Sequence, residues 1–301
     1  MKLLALLIGL LVERLATQLF HLRRLRWLDR AIDSGFAYGN NFANWPALIP
    51  VGVLCLLLVL PVFLVRFGLG DMWFGVPYVA LAIIVLFFSL GPKDIGEDVT
   101  EYCHAVESDD AERITETARS ITEQDVPDDP EERTQLVEES VCIQANNRLF
   151  AVVFWFVLLG PVGAWAYRVT DLIRRRAVFR ALRAEGTGND LVVEAAELIH
   201  AWVAWIPARL TAIGYAMAGA FDGALAAWRT VHSADRLPLH EQSEQLLARV
   251  GVGALALQRH ENESMSERAV RGAKAANGIV VRLFIIWAVI IGAMTLYGLS
   301  L

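Results

Sequence analysis

Apolar residues in this chain fall in long blocks, not at one amphipathic period. Residues 47–67 and 73–90 are the clearest blocks, each close to the ~20 residues a helix needs to cross hydrocarbon. The short Gly68-Leu69-Gly70-Asp71 stretch separates them, which predicts a helical hairpin. Pro50, Pro61 and Pro77 lie within it, and membrane helices tolerate proline where neighbours satisfy the freed carbonyls. A third block, 149–169, is interrupted by Gly160-Pro161-Val162-Gly163. A fourth, 191–221, carries Glu194, Glu197, His200 and Arg209 among its apolar residues. After a mixed-charge helical region at 222–277, residues 279–299 form a final span.

The N-terminal block, 1–12, is too short to span alone. Leu15, Leu19, Leu22, Leu25 and Leu28 then keep a helical spacing while Arg23, Arg24, Arg26 and Arg30 occupy other faces. This predicts one helix, embedded first and then running along the membrane surface. Glu13-Arg14 follow the apolar block at once, without a small-x-small cleavage site, so removal as a signal peptide is not expected.

Between the hairpin and the third block the pattern becomes polar and helical. Asp94-Ile95-Gly96-Glu97 has the spacing of a capping box, and Val99, Tyr102, Cys103 and Val106 follow on one face. A second helix is predicted from Asp109 or Asp110, with Ile114, Ala118 and Ile121 inside. Asp129-Pro130-Glu131-Glu132 is a strong start for a third, because proline at the first helical position forfeits only an orphan donor. That helix should run through Val137 and Val141 into the membrane.

Charge sharpens this division. Residues 93–147 hold 17 acidic against four basic side chains, a local −13 within a chain of −6, so the remainder carries +7. An acidic extramembrane helical insert and basic membrane-flanking helices follow from that split. Apolar residues are 55% of the chain and mean hydropathy is +0.44, which excludes an ordinary soluble domain. The expected architecture is an all-α polytopic integral membrane bundle: 1–92 as interfacial helix plus hairpin, 93–147 as the insert, and 148–301 as further membrane segments. Both Arg clusters, 23–30 and 168–183, belong in the cytoplasm by the positive-inside rule. Three apolar blocks lie between them, so one must fail to cross, and 149–169 is the candidate. Multi-pass placement in the inner (plasma) membrane follows.

Three stretches resemble the AmpE family, inner-membrane modulators of β-lactamase induction, and more distantly the CobD/CbiB cobalamin synthases. They are Leu90-Gly91-Pro92-Lys93-Asp94-Ile95-Gly96-Glu97-Asp98-Val99, the run from Glu139-Ser140-Val141 to Phe154-Trp155 with Gly163-Ala164 and Tyr167-Arg168, and Trp205-Ile206-Pro207-Ala208-Arg209-Leu210-Thr211. The last string is the link to the synthases; the first, with Leu159-Gly160-Pro161, is similar to AmpE. Departures weigh against synthase chemistry. Synthases carry Glu-Asn and then Asp-Gly where this chain has Ile143-Gln144 and Asn147-Arg148. Their Asn-Thr-Leu-Asp-Ser-Met string is absent after Tyr167-Arg168. Losing acids that would hold a metal or activate an amine argues against catalysis.

Candidate ligand-binding residues are therefore Lys93, Asp94, Glu97, Asp98, Glu139, Asn146, Arg148, Tyr167, Arg168 and Arg209. For the first four the competing role is a helix cap; for Arg148 it is a headgroup anchor. Arg209 lies within an apolar run, so it should point inward toward a carboxylate such as Glu139, Glu194 or Glu197, or snorkel to the interface. Glu197 and His200 have the spacing of a di-iron helix, but the matching second pair is lacking. No GxxxxGK, GxGxxG or GxSxG string is present, no CxxC pair joins the three cysteines, and no catalytic residue, metal or cofactor is expected. The Arg clusters face lipid and not nucleic acid. The expected partners are the bilayer, a small polar ligand or anionic lipid, and a cell-wall or regulatory protein. Rival readings are a membrane amide synthase with a rearranged site and a structural assembly protein.

Overall fold

The computed structural model describes residues 26–39, 45–69, 76–90, 94–122, 124–183, 190–233, 238–257 and 263–297. The block at 1–12, most of the Leu15–Leu28 series, and Lys93 lie outside them. In chain order the helices are α1 Arg26–Gly39, α2 Leu48–Leu69, α3 Val76–Ser89, α4 Ile95–Glu107, α5 Ala111–Thr122, α6 Pro130–Ala145, α7 Ala151–Leu159, α8 Pro161–Arg183, α9 Asp190–Ala218, α10 Phe221–Ser233, α11 Leu239–Leu255 and α12 Met265–Leu296. A π-helical turn, Asn146–Phe150, joins α6 to α7. No strand occurs among the described residues.

Among the described residues four helical stretches are long and apolar enough to cross a membrane: Leu48–Gly68, Pro130–Leu159, Leu191–Ala218 and Met265–Leu296. The protein is a helical membrane protein. On α2 the large side chains Leu56, Leu57, Phe63, Leu64 and Phe67 are exposed, as lipid-facing residues are. The chain forms two compact units. One comprises residues 1–92, 151–205 and 291–301; the other comprises 93–150 and 206–290. Their formal charges are +4 and −10.

In the basic unit, Leu28, Ile32 and Phe36 are buried at four-residue spacing along α1 and pack with Leu54, Cys55, Val85, Trp165, Val169 and Ile173. Of the leucine series read from the sequence, Leu28 falls among the described residues, and it is buried. The interrupted 149–169 block breaks at Gly160, which adopts φ +69°. Its first half continues the helix Pro130–Leu159, and its second half opens α8. Gly163 is needed beside that break, because any Cβ would collide with the Trp155 carbonyl and Leu159.

The 191–221 block, uncertain from its mixed residues, is one helix of 29 residues with Pro207 inside. Proline lacks the amide that would bond to the Val203 carbonyl. Trp155 supplies the donor, its Nε1 lying 2.9 Å from that oxygen. The last span is longer than the hydropathy pattern implied. It begins at Met265, not near 279, because Ser264 and Glu267 form a reciprocal cap: Glu267 Oε2 accepts from the Ser264 amide at 2.9 Å and Ser264 Oγ accepts from the Glu267 amide at 3.2 Å.

The acidic segment forms the three helices expected. Asp94 accepts from the Gly96 amide at 3.1 Å, Asp110 from Arg113 at 3.1 Å, and Asp129 from Glu132 at 2.9 Å. These helices do not stand alone. Tyr102, Cys103, Ile114, Ile121, Val137 and Val141 share a core with Ala208, Tyr215, Leu246, Val250, Ala276 and Ile279. Small residues let these helices approach closely. A Cβ on Gly253 would lie 2.7 Å from the Gly223 carbonyl, and one on Gly251 would strike Cys142.

Candidate functional site

Two buried polar centres stand out, one in each unit. The first is built on the π turn of the acidic unit. Asn146 donates its own amide to the Ile143 carbonyl, not to Cys142 four residues back. Tyr215 Oη donates to the Cys142 carbonyl at 2.7 Å instead. The widened turn swings Asn146, Asn147 and Arg148 inward, and all three are buried. Arg148 Nη1 donates to Asp98 Oδ2 at 2.8 Å, Nε to Gln144 Oε1 at 3.2 Å, and Nη2 to the Ser120 carbonyl at 3.2 Å. Thr211 Oγ1 donates to Asn146 Oδ1 at 2.9 Å, and Asn146 Nδ2 to Asn147 Oδ1 at 3.1 Å.

The structure thus brings together Asp98, Asn146 and Arg148, which the sequence placed in separate groups, and adds Gln144, Asn147 and Thr211. Arg148 is held by protein groups and not extended as a headgroup anchor. Asp94 is an exposed cap and Glu97 is half-buried. Glu139 is half-buried and accepts from Gln135 at 2.9 Å one turn away. Its neighbour Glu138 is the buried acid, paired with Arg268 of α12. Sequence reading missed that pair; Glu138 follows Val137 on the core side of α6, which was the available signal. Arg209 is half-buried. The inward face of α9 runs through Ala204, Ala208, Thr211, Ala212 and Tyr215, and Arg209 lies about 100° round from Ala208.

The second centre is in the basic unit, on α8 and α9. Asp171 is fully buried and receives three guanidiniums. Arg168 Nη1 donates to Oδ2 at 2.9 Å, Arg175 Nε reaches both oxygens at 2.9 Å, and Arg174 Nη2 lies 3.4 Å from Oδ1. Spacings of three and four residues put each of the three arginines about one turn from Asp171 along α8. Tyr167 and Arg168 are both buried here. The Tyr167 ring packs 5.3 Å from that of His200, and Thr170 Oγ1 is 3.4 Å from His200 Nδ1. Burial would raise the Asp171 carboxyl, but Arg175, Arg168 and Arg174 outweigh it and hold it well below the ordinary range. Asp171 was not singled out from sequence; its signal was an acid flanked by Arg at −3, +3 and +4.

Further along α8, Arg176 grips Asp33 of α1, Nε to Oδ1 at 2.8 Å and Nη2 to Oδ2 at 2.5 Å. The Arg176 hydrogen bond lowers the Asp33 carboxyl, with burial opposing and the Arg176 and Arg180 charges assisting. A depressed carboxyl stabilises the fold above its unfolded pKa, about 4, and that contribution disappears as pH falls through the folded value. Wild type should therefore melt above Asp33→Asn at pH 6, and the two melting curves should converge below about pH 4. A melting difference that persists unchanged at pH 3 would show that the pair acts through packing.

Among the described residues no group of three or more His, Cys, Asp or Glu side chains is placed to hold a metal. Neither centre offers the paired free carboxylates that amide-bond chemistry would use.

Comparison with known proteins places this geometry in context. The family model described as regulatory signalling modulator protein AmpE matches residues 1–301. Protein AmpE of Shigella flexneri is 25% identical over 316 residues, 99% of this chain and 99% of that one. Cobalamin biosynthesis protein CobD of Stutzerimonas stutzeri is 30% identical over 149 residues, 49% of this chain and 48% of the relative. Its counterpart from Chromobacterium violaceum is 24% identical over 153 residues, 50% and 47%. The chain thus spans about half the length of the curated cobalamin relatives it matches. No solved structure matches.

Proposed function

The chain belongs to the AmpE family, and from that premise we propose that it is a regulatory protein of the inner membrane, crossing it several times and binding an anionic ligand, not a synthase. The observation that carries this reading is the convergence of Arg168, Arg174 and Arg175 on buried Asp171. Planar guanidiniums held by one carboxylate are preorganised donors, and Arg suits a carboxylate or phosphate by its bidentate fork. Arg174 and Arg175 keep part of their side chains accessible, at 16% and 23%, so a small polar anion or lipid headgroup can reach them. Asn147-Arg148, where the resemblance places the synthases' Asp-Gly, is here part of a closed hydrogen-bonded lock, which supports the reading that this chain is not a synthase.

The test compares Arg174→Gln/Arg175→Gln with the control Arg183→Gln in a strain lacking its own copy, reading β-lactamase induction and membrane protein level. The double variant should lose signalling, with ligand response weakened about tenfold or more, while the control and both membrane levels stay normal. In parallel, the wild-type chain should not restore growth to a strain lacking the cobalamin synthase. Rescue there would favour the rearranged-synthase reading, for which the two cobalamin relatives speak. Normal signalling by the double variant would remove the Asp171 centre from the function.

A further inference from the structure

The break between α7 and α8 holds a set of donors that the Asp171 centre does not use. Gly160 stands directly before α8 in a left-handed conformation, φ +69°, which favours glycine. Its amide donates to the Phe156 carbonyl at 2.8 Å, and its own carbonyl accepts from Gly163 at 3.1 Å and Ala164 at 3.3 Å. Pro161 brings no N–H and Gly163 and Ala164 are bonded back to Gly160, so Val162 carries the amide left at the positive end of this 23-residue helix.

A helix N-terminus alone would mean little. Here a side chain from another helix is aimed at it. Tyr78 of α3 is 7% exposed, and its hydroxyl is buried beside the Arg66 guanidinium, a donor, with no acceptor for its own proton. A Cβ on Gly160 would lie 3.1 Å from that oxygen, so the hydroxyl sits close against the turn, nearer than most side chains would allow. The Arg66 guanidinium carbon sits 4.6 Å from the centre of the Tyr78 ring. All these groups belong to the basic unit.

A buried phenol whose proton has no acceptor is worse placed than one that has an acceptor. The hydroxyl therefore calls for an acceptor from outside the chain. What surrounds it is donor and cation: a phenolic O–H, a guanidinium and a helix N-terminus, which together match an oxyanion. Arg66 lies in the last turn of the apolar helix α2, the position at which membrane helices meet headgroups.

We propose that Tyr78, Arg66 and the N-terminus of α8 bind a phosphoryl oxyanion, either the phosphate of an anionic phospholipid or a soluble phosphate of the same chemistry. The site goes beyond the Asp171 centre and does not rest on it. Gly160 and Asp171 are eleven residues apart on α8, about 16 Å along the axis.

The experiment uses the full chain in a neutral detergent, with melting followed in the absence of added lipid, with phosphatidylglycerol, with phosphatidylcholine, and with inorganic phosphate. Wild type should be raised by phosphatidylglycerol or by inorganic phosphate. Tyr78→Phe should melt no lower than wild type without ligand, since only a hydroxyl whose proton has no acceptor is removed, yet should bind the anion about tenfold more weakly. Arg66→Gln should lose the same response, while Arg174→Gln/Arg175→Gln should keep it. A response to phosphatidylglycerol alone assigns the site to lipid, and one to inorganic phosphate alone assigns it to a soluble phosphate. Equal responses from wild type and Tyr78→Phe, or a ligand-free Tyr78→Phe that melts markedly lower, would overturn the proposal. Loss of signalling with this anion response intact would separate failure of the Asp171 reading from failure of this one.

Discussion

Replacing Arg148 with methionine should destabilise the protein by about 3–5 kcal/mol, the usual cost of removing one partner of a buried ion pair. Asp98 is 2% exposed, and without the guanidinium its buried carboxylate would lose its ion-pair partner in water-poor surroundings. Gln144 and the Ser120 carbonyl would lose their donor as well. A second substitution should show the cause. Asp98→Leu on the Arg148→Met background should recover most of the loss, because no orphaned charge remains. Cys103 and Cys142 are buried in this unit, so their rate of thiol labelling during denaturant unfolding reports the change directly. An Arg148→Met protein within about 0.5 kcal/mol of wild type would behave as a surface substitution does, and would restore the headgroup-anchor reading.

Asp171→Ala should be comparably severe, again about 3–5 kcal/mol, and it should act first on the other unit. Three guanidiniums from the turns on either side of Asp171 crowd its carboxylate, which is what permits it. Removing it leaves like charges to repel in a site where Arg168 is 5% exposed and water screens poorly. Cys55 packs in the same core as Trp165, Val169 and Ile173, so its labelling should accelerate before that of Cys103 or Cys142. Asp33→Asn should do much less, because Asp33 is 35% exposed and its pair is partly solvated. Equal labelling rates for Asp171→Ala and wild type would mean that neighbouring groups or water already neutralise the cluster.

Much of the fold was legible from residue pattern. Long apolar blocks had to become helices, because hydrocarbon leaves no partner for an unpaired backbone group. The caps at Asp94, Asp110 and Asp129 were equally local, since each aspartate satisfies an amide within its own first turn. Resemblance added Asp98, Asn146, Arg148, Tyr167 and Arg168, all of which the structure places in buried polar centres. It named Glu139 where Glu138 carries the ion pair, because a shift of one residue turns a side chain about 100° around a helix.

What the chain determined by itself was set within a turn or two of backbone: the helix starts at Asp94, Asp110 and Asp129, the break at Gly160-Pro161 and the acidic middle segment; of the apolar blocks, 73–90 forms only the 14-residue helix Val76–Ser89, and the last helix begins at Met265, well before the apolar block. Only tertiary structure decided which charges meet. Asp98 finds Arg148 across 50 residues, Glu138 finds Arg268 across 130, and Asp33 finds Arg176 across 143. Pro207 leaves an unserved carbonyl that Trp155 fills, and Tyr78 is brought to face Gly160 from a distant helix. No periodicity encodes such pairings. Burial makes each unpaired polar group costly, and the packing of helices far apart in sequence selects which partner meets that cost.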